Sequence, residues 1–243
     1  MSVMDKLSQW SWETFFDVLP SIYNAMWLTL GLTLACFSFA LIFGFVWTAL
    51  RYIRFKPFYI LIQFIMNFIR TTPPLVQLFF LYFAWPQVPY VGYAFSPWTC
   101  GVLTLGIHFS TYIAEIYRSG IEAVPKGQWE ASTALNYSSW QKWTKIILPQ
   151  ALPPVIPMLG NYLIIMFKEV PLTSAIGFLG MLLVARNYGA DHYAYIEALT
   201  IVGLFFLLLS YPSSILVQKL ETRLNRKFRK GMEHVNTKEV AAE

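Results

Sequence analysis

Residues 26–50 read MWLTLGLTLACFSFALIFGFVWTAL, twenty-five positions without a single charge. About 20 apolar residues suffice to cross the hydrocarbon of a bilayer, so this stretch predicts a transmembrane helix. The rest of the chain has the same character: of 243 residues, 56% are hydrophobic and 13% charged, where soluble domains carry about 25% charged residues. That balance excludes an ordinary soluble enzyme and a disordered chain, because so much apolar surface must face lipid or other subunits.

Four more apolar stretches follow, at 57–85, 98–116, 149–167 and 195–217. Together they predict an all-α integral membrane protein with five transmembrane helices and termini on opposite sides. The second stretch is interrupted by Arg70 and by Pro73-Pro74. Residues 172–184, LTSAIGFLGMLLV, are too short to span and suit a re-entrant or interfacial segment. Ahead of the first span, Asp5, Glu13 and Asp17 lie among tryptophans with no basic n-region or small-residue cleavage site, which predicts an uncleaved first span.

Lysine and arginine assign the sides, since short loops rich in them stay in the cytoplasm. Fourteen of the eighteen fall on one face: Arg51, Arg54 and Lys56 after span one, Arg118, Lys126, Lys142 and Lys145 between spans three and four, and seven from Lys219 to Lys238. The other face holds Lys6 and Arg186, while Arg70 and Lys168 lie within apolar stretches. The expectation is an extracytoplasmic segment at 1–20, a membrane domain at 21–219 and a cytoplasmic basic tail at 220–243. Charges distributed over loops in this way exclude a nucleic-acid footprint. Cys36 and Cys100 sit in apolar runs as small hydrophobes, and His108 and His192 have no metal-ligand spacing, so no metal site is expected. A lone histidine in a span reads as a helix–helix hydrogen bond.

The cytoplasmic segment at 119–149 is long for a loop between spans and has the composition of short soluble helices. Pro125-Lys126-Gly127 predicts a turn, and Glu130, Ala131 and Ala134 favour a helix over 128–135. Asn136 breaks that pattern, and Ser138-Ser139 can cap a second helix over 140–147. A helix-turn-helix elbow follows.

Glu130-Ala131-Ser132, three residues, Asn136, nine residues, then Ile146-Ile147-Leu148-Pro149 resembles the EAA loop of membrane subunits of binding-protein-dependent ABC importers. Ser132 stands where that pattern has a second alanine and Asn136 where it has glycine; asparagine next most readily accepts the left-handed turn that glycine supplies. Arg70-Thr71-Thr72-Pro73-Pro74, Tyr112-Ile113-Ala114-Glu115 and 163–177 extend the likeness to the polar amino acid uptake family. His108-Phe109-Ser110-Thr111-Tyr112 and Leu152-Pro153-Pro154-Val155-Ile156-Pro157 through Asn161-Tyr162-Leu163 look most like ectoine/hydroxyectoine permease subunits.

The resemblance implies a type I permease fold in a bacterial inner membrane, paired with a like or identical permease chain, a cytoplasmic ABC ATPase dimer and an extracytoplasmic solute-binding protein. Glu130, Ala131, Ser132, Ala134, Leu135, Asn136, Leu148 and Pro149 would couple to the ATPase. No G-x-x-x-x-G-K-[ST] phosphate loop occurs in the sequence, so ATP and Mg would belong to the partner and this chain would bind no cofactor. The alternative for the elbow is a solvated connector in which Glu130 merely favours the first helical turn.

Arg70, Lys168 and Glu169 are costly at membrane depth, about 2.5 to 3.5 kcal/mol each on insertion scales. Pro171 ends or kinks the fourth span beside them, and Thr173-Ser174 could cap a restarted helix. Such a break suits a small zwitterionic solute, a polar amino acid or ectoine-type compound, with Thr173 and Ser174 at its carboxylate and Glu169 at its cation. Asn161, Lys168, Arg70 and Thr72 complete this candidate path. The alternative has Lys168 snorkelling to an interface and Glu169 bridging to Arg70 or another subunit. Glu115 and Arg118 read as a helix-surface pair. A secondary ion-coupled transporter would need an internal repeat and coupling-ion acids, and a membrane enzyme a convergent catalytic set; neither pattern is present.

Overall fold

The computed structural model describes residues 10–53 and 55–240, with side chains through residue 224. Asp5, Lys6, Arg54 and the basic side chains beyond 224, which carry part of the sidedness expectation, lie outside the described residues. All regular structure among the described residues is helical. Helix α1 (Trp12–Arg51) starts at Ser11, whose hydroxyl accepts the Thr14 amide while its own backbone N–H donates to Glu197 Oε1 at 2.9 Å. α1 therefore begins well ahead of the uncharged run at 26–50, and Pro20 lies inside it. Val18 and Ile22, both fully buried, hold this early part against Met181, Ala185, Ala198 and Ile201.

The expected second span is two helices, α2 (Lys56–Thr71) and α3 (Pro74–Phe79), bent by 99° at Thr72-Pro73. A residue before proline is driven out of the helical region, and Thr72 is extended at φ −94°, ψ 131°. Two of the carbonyls at the break are taken up by one side chain, Gln77, whose Nε2 donates to Ile69 O at 2.7 Å and Thr72 O at 3.0 Å. After α3 the chain continues through a π turn, Phe80–Ala84, and a short 3-10 turn, Trp85–Gln87.

Helix α4 (Pro97–Glu122) is the centre of the bundle and packs most extensively on α1. At 26 residues it is long enough to span, about 39 Å at 1.5 Å per residue. Its Thr104, His108, Ser110 and Thr111 are buried among neighbours, and His108, Ser110 and Thr111 find hydrogen-bond partners within the protein. Three helices are both long and apolar enough to cross, Trp12–Arg51, Ser139–Ile176 and Tyr195–Leu224, and the bent pair counts as a fourth if it is one broken span.

Past α4 come α5 (Lys126–Ala134) and α6 (Ser139–Gln141), which runs through a π stretch, Lys142–Ile147, into α7 (Leu148–Glu169). The expected separate helix at 140–147 is thus the start of the long fourth span. Proline at 149 cannot donate, and its ring crowds the preceding turn; widening that turn to the π form relieves the clash.

The segment at 172–184 is not one short helix. Val170–Ile176 winds on as a 3-10 turn, Gly177 reverses the chain at φ +85°, and α8 (Met181–His192) starts at Gly180. Thr173 and Ser174 therefore lie inside the 3-10 turn and cap nothing: Thr173 Oγ1 donates back to Val170 O at 2.7 Å. The true start of α8 is already occupied, since Met181 N–H donates to Thr29 Oγ1 of α1 at 3.0 Å. α9 (Tyr195–Val240) closes the bundle.

α4 and α7 approach at Gly120, where an added Cβ would collide with the Ala151 carbonyl and meet Val155 Cγ1 at 2.7 Å. Gly127 in α5 has open space around it. Gly120→Ala should destabilise the purified protein by about 1–3 kcal/mol, whereas Gly127→Ala should leave it unchanged or slightly stabilised. Thermal unfolding of the two variants in detergent reads the difference.

Candidate coupling elbow and substrate path

Two local devices shape the elbow. α5 ends in a Schellman motif: Tyr137 N–H donates to Ser132 O at 3.1 Å and Asn136 N–H to Thr133 O at 3.0 Å. Asn136 holds the left-handed position at φ +54°, as its place in the motif predicts. Ser138 then opens α6 with a capping box, its Oγ accepting the Gln141 amide at 3.3 Å while Gln141 Oε1 accepts the Ser138 amide at 3.0 Å.

The inner side of the elbow is aromatic and apolar. Trp129 meets Trp143 edge-to-face at 5.3 Å, and Trp143 meets Tyr52, the C-cap of α1, at 5.4 Å. Ile121, Val124, Ile147 and Ala151 are buried beneath them. Ser132 belongs to this inner side, 2% exposed, with its hydroxyl returned to Trp129 O at 2.7 Å. A small residue fits there, and the back-bond leaves no orphan polar atom.

Glu130, Ala131, Ala134, Leu135 and Asn136 are exposed together at the tip. Leu148 is half-buried and Pro149 exposed, both where the elbow passes into α7. Beside Glu130 lies a shallow cleft of about 430 Å³ lined by Trp129, Thr133, Ala134 and Lys142, with Lys142 Nζ donating to Thr133 Oγ1 at 2.8 Å. Trp140, which sequence reasoning passed over, is 77% exposed and Leu135 67% exposed. Two large apolar side chains held out by a capped turn form a surface suited to a partner.

Arg70 has a partner that the sequence does not show. Glu115 Oε1 accepts from Arg51 Nη1 at 2.8 Å and Arg70 Nη2 at 3.0 Å, and its Oε2 accepts from Arg118 Nε at 2.7 Å. Arg118 also pairs with Glu122. The expected Glu115–Arg118 pair is thus one edge of a larger cluster, and the alternative bridge from Glu169 to Arg70 is not made. The Arg70 guanidinium also lies over the Tyr112 ring at 5.7 Å.

The other candidate path residues fall in three places. Asn161 and Lys168, one face of α7 apart by two turns, are exposed, and among the described residues Lys168 and half-buried Glu169 form no ion pair. Thr173 and Ser174 are buried at 0% and 9% exposure. Thr72 lines a cavity of about 570 Å³ with Phe68, Val76, Gln77, Phe80 and Thr104. Thr104 Oγ1 is buried there without a hydrogen-bond partner. Gln77 Nε2 also lies 3.3 Å from His108 Nδ1, the helix–helix contact expected of that histidine. Among the described residues no His, Cys, Asp or Glu cluster could hold a metal.

A family model described as the binding-protein-dependent transport system inner membrane component matches residues 39–226. This chain belongs to that family. It is the membrane-spanning permease subunit of an ABC importer. The permease is 38% identical over 87% of its length to a protein of Sinorhizobium fredii described as a probable amino-acid ABC transporter permease, covering 90% of that relative. It is 30% identical over 89% of its length to the glutamine transport system permease protein of Escherichia coli, covering 98% of it. The crystal structure of an amino acid ABC transporter with histidines superposes with a TM-score of 0.80 at 30% identity, over 88% of this chain and 99% of that one. An inward-facing methionine ABC transporter shares the fold at a TM-score of 0.69 and 21% identity, over 84% and 95% of the chains.

In the permease, Asn136→Gly should preserve the elbow, whereas Asn136→Val should strain the left-handed turn by about 1–2 kcal/mol. Ser138→Ala should cost about 1 kcal/mol through loss of the cap. Hydrogen exchange of the amides at 132–141 measures both, with faster exchange expected in Asn136→Val and Ser138→Ala only.

Proposed function

We propose that this permease imports a small zwitterionic solute, with the exposed elbow tip gripped by a separate cytoplasmic ABC ATPase dimer. The observation that carries the reading is the elbow itself: Glu130, Ala131, Ala134, Leu135 and Trp140 face outward from a rigid turn that rests on the bundle through Trp129 and Trp143. Glu130 supplies a charged anchor, and Leu135 and Trp140 supply apolar area for close docking. ATP and Mg belong to that partner.

In this reading the path forms between two permease chains, identical or sister, and a solute-binding protein delivers its cargo from outside. Polar Asn161 and Lys168 on an outward face of α7 support it, because such groups favour a protein interface or water over lipid. We read the chain as five spans with the N-terminus outside and the C-terminus in the cytoplasm, supported by the Lys and Arg residues that follow the first span and lie in the segment at 119–149. Among solutes, the names of the relatives favour a polar amino acid. The segments at 108–112 and 152–163 favour an ectoine-type compound.

Proteoliposomes holding the assembled complex and its binding protein test both halves. Glu130→Ala and Trp140→Ala should each cut solute-stimulated ATP hydrolysis about tenfold or more; undiminished stimulation in both would remove the docking role. Competition of uptake by glutamine, arginine and ectoine ranks the solute. Because Cys36 and Cys100 are buried, a cysteine placed at Gln128 reports the side of the elbow by impermeant labelling, and labelling from outside would overturn the topology.

A further inference from the structure

The elbow meets the end of α1 through the C-cap residue Tyr52, which lies edge-on to Trp143. Tyr52 follows Arg51 directly, and Arg51 shares one oxygen of Glu115 with Arg70. Arg70 sits in the last turn of α2, two residues before the 99° bend at Thr72-Pro73. That bend borders the 570 Å³ cavity. The elbow and the cavity are thus joined by the Trp143–Tyr52 contact and the Arg51–Glu115–Arg70 ion pairs, linked through adjacent stretches of backbone.

We propose that Glu115 is a positioning residue of the transport cycle, tying the ends of α1, α2 and α4 together so that displacement of the elbow reaches the bend at Thr72-Pro73. This rests on the reading of the elbow as the ATPase handle. α2 is poorly held otherwise: only Ile62 and Met66 are buried along it, while Ile60, Leu61, Phe64 and Phe68 are exposed. The arginines cannot stay in place without the carboxylate. Arg51 is 10% exposed and Arg70 21%, and the Nε of each is buried without an acceptor. Removing the shared charge leaves two guanidiniums facing each other with no anion between them, which favours one swinging away and releasing α2 from α1. A shared ion pair fixes the ends of α1, α2 and α4 to one another at defined atoms, which packing of exposed apolar side chains does not.

The test uses the full complex in proteoliposomes with loaded binding protein. Glu115→Gln should lower uptake per ATP hydrolysed about tenfold while the ATPase still co-purifies and basal hydrolysis stays within about twofold. Glu115→Asp, which keeps the charge on a shorter arm, should recover part of that ratio. Tyr52→Ala should lower the ratio as well, and the double variant should be no worse than the poorer single, as two links of one route require. Uptake and hydrolysis falling together in proportion to complex recovered would make Glu115 merely structural and overturn the proposal. Multiplying effects in the double variant would overturn the shared route. Where Glu115→Gln does not assemble, an unchanged ratio in Glu115→Asp and Tyr52→Ala overturns it. A wild-type complex that takes up solute without ATP would overturn the coupling reading first, and this role with it.

Discussion

Inside hydrocarbon a backbone N–H or C=O has no water to turn to, so every interruption of a helix must be repaired by the protein itself. This permease interrupts its helices where it has polar work to do, and each interruption has an identifiable repair. At Thr72-Pro73 the Ile69 and Thr72 carbonyls go to Gln77. At the turn into α8, the Phe178 amide returns to Thr173 O and the Met181 amide goes to Thr29. Repairs of this kind pin the breaks, so a 99° bend can be a fixed feature of a membrane protein instead of a frayed one.

The same constraint explains where polarity collects. α4, with its hydroxyls and His108, is wrapped by α1, α2 and α7, and its hydroxyls mostly bond within their own helix or to a neighbour, as Ser110 does with Trp47. Glycines at Gly44 and Gly120 let the neighbours close over it, since a Cβ at either would collide with the facing helix. The exposed surface is correspondingly apolar, with Ile42, Phe64, Leu208 and Tyr211 all facing away from the core. The permease is therefore built inside-out relative to a soluble protein only at its surface; its core follows ordinary close packing.

At the end of the bundle that carries the elbow the chemistry changes to charge and aromatics. The elbow is rigid for local reasons, a Schellman turn and a capping box, and it is seated on the bundle by Trp129, Trp143 and Tyr52. Its outer surface is left free, with Trp140 and Leu135 at the tip. In the proposed function, this apolar tip is the surface that the ATPase subunit would grip.

Much of this was legible without coordinates, because the signals are local. Uncharged runs longer than the bilayer is thick mark spans, Pro73-Pro74 marks a break, and Asn136 with Ser138 marks the turn between elbow helices, since each acts through its own backbone. Two local readings misled: Thr173-Ser174 looked like a cap, but a 3-10 turn carried on through them to Gly177, and 140–147 looked like a free helix, but it runs on into α7. What only the tertiary structure decided are pairings across long sequence separations: Glu115 with Arg51 and Arg70, Thr29 with Met181, Tyr52 with Trp143. Hydropathy and spacing say that a buried charge must have a partner; they carry no information on which of several distant helices brings it, because that depends on how the helices pack.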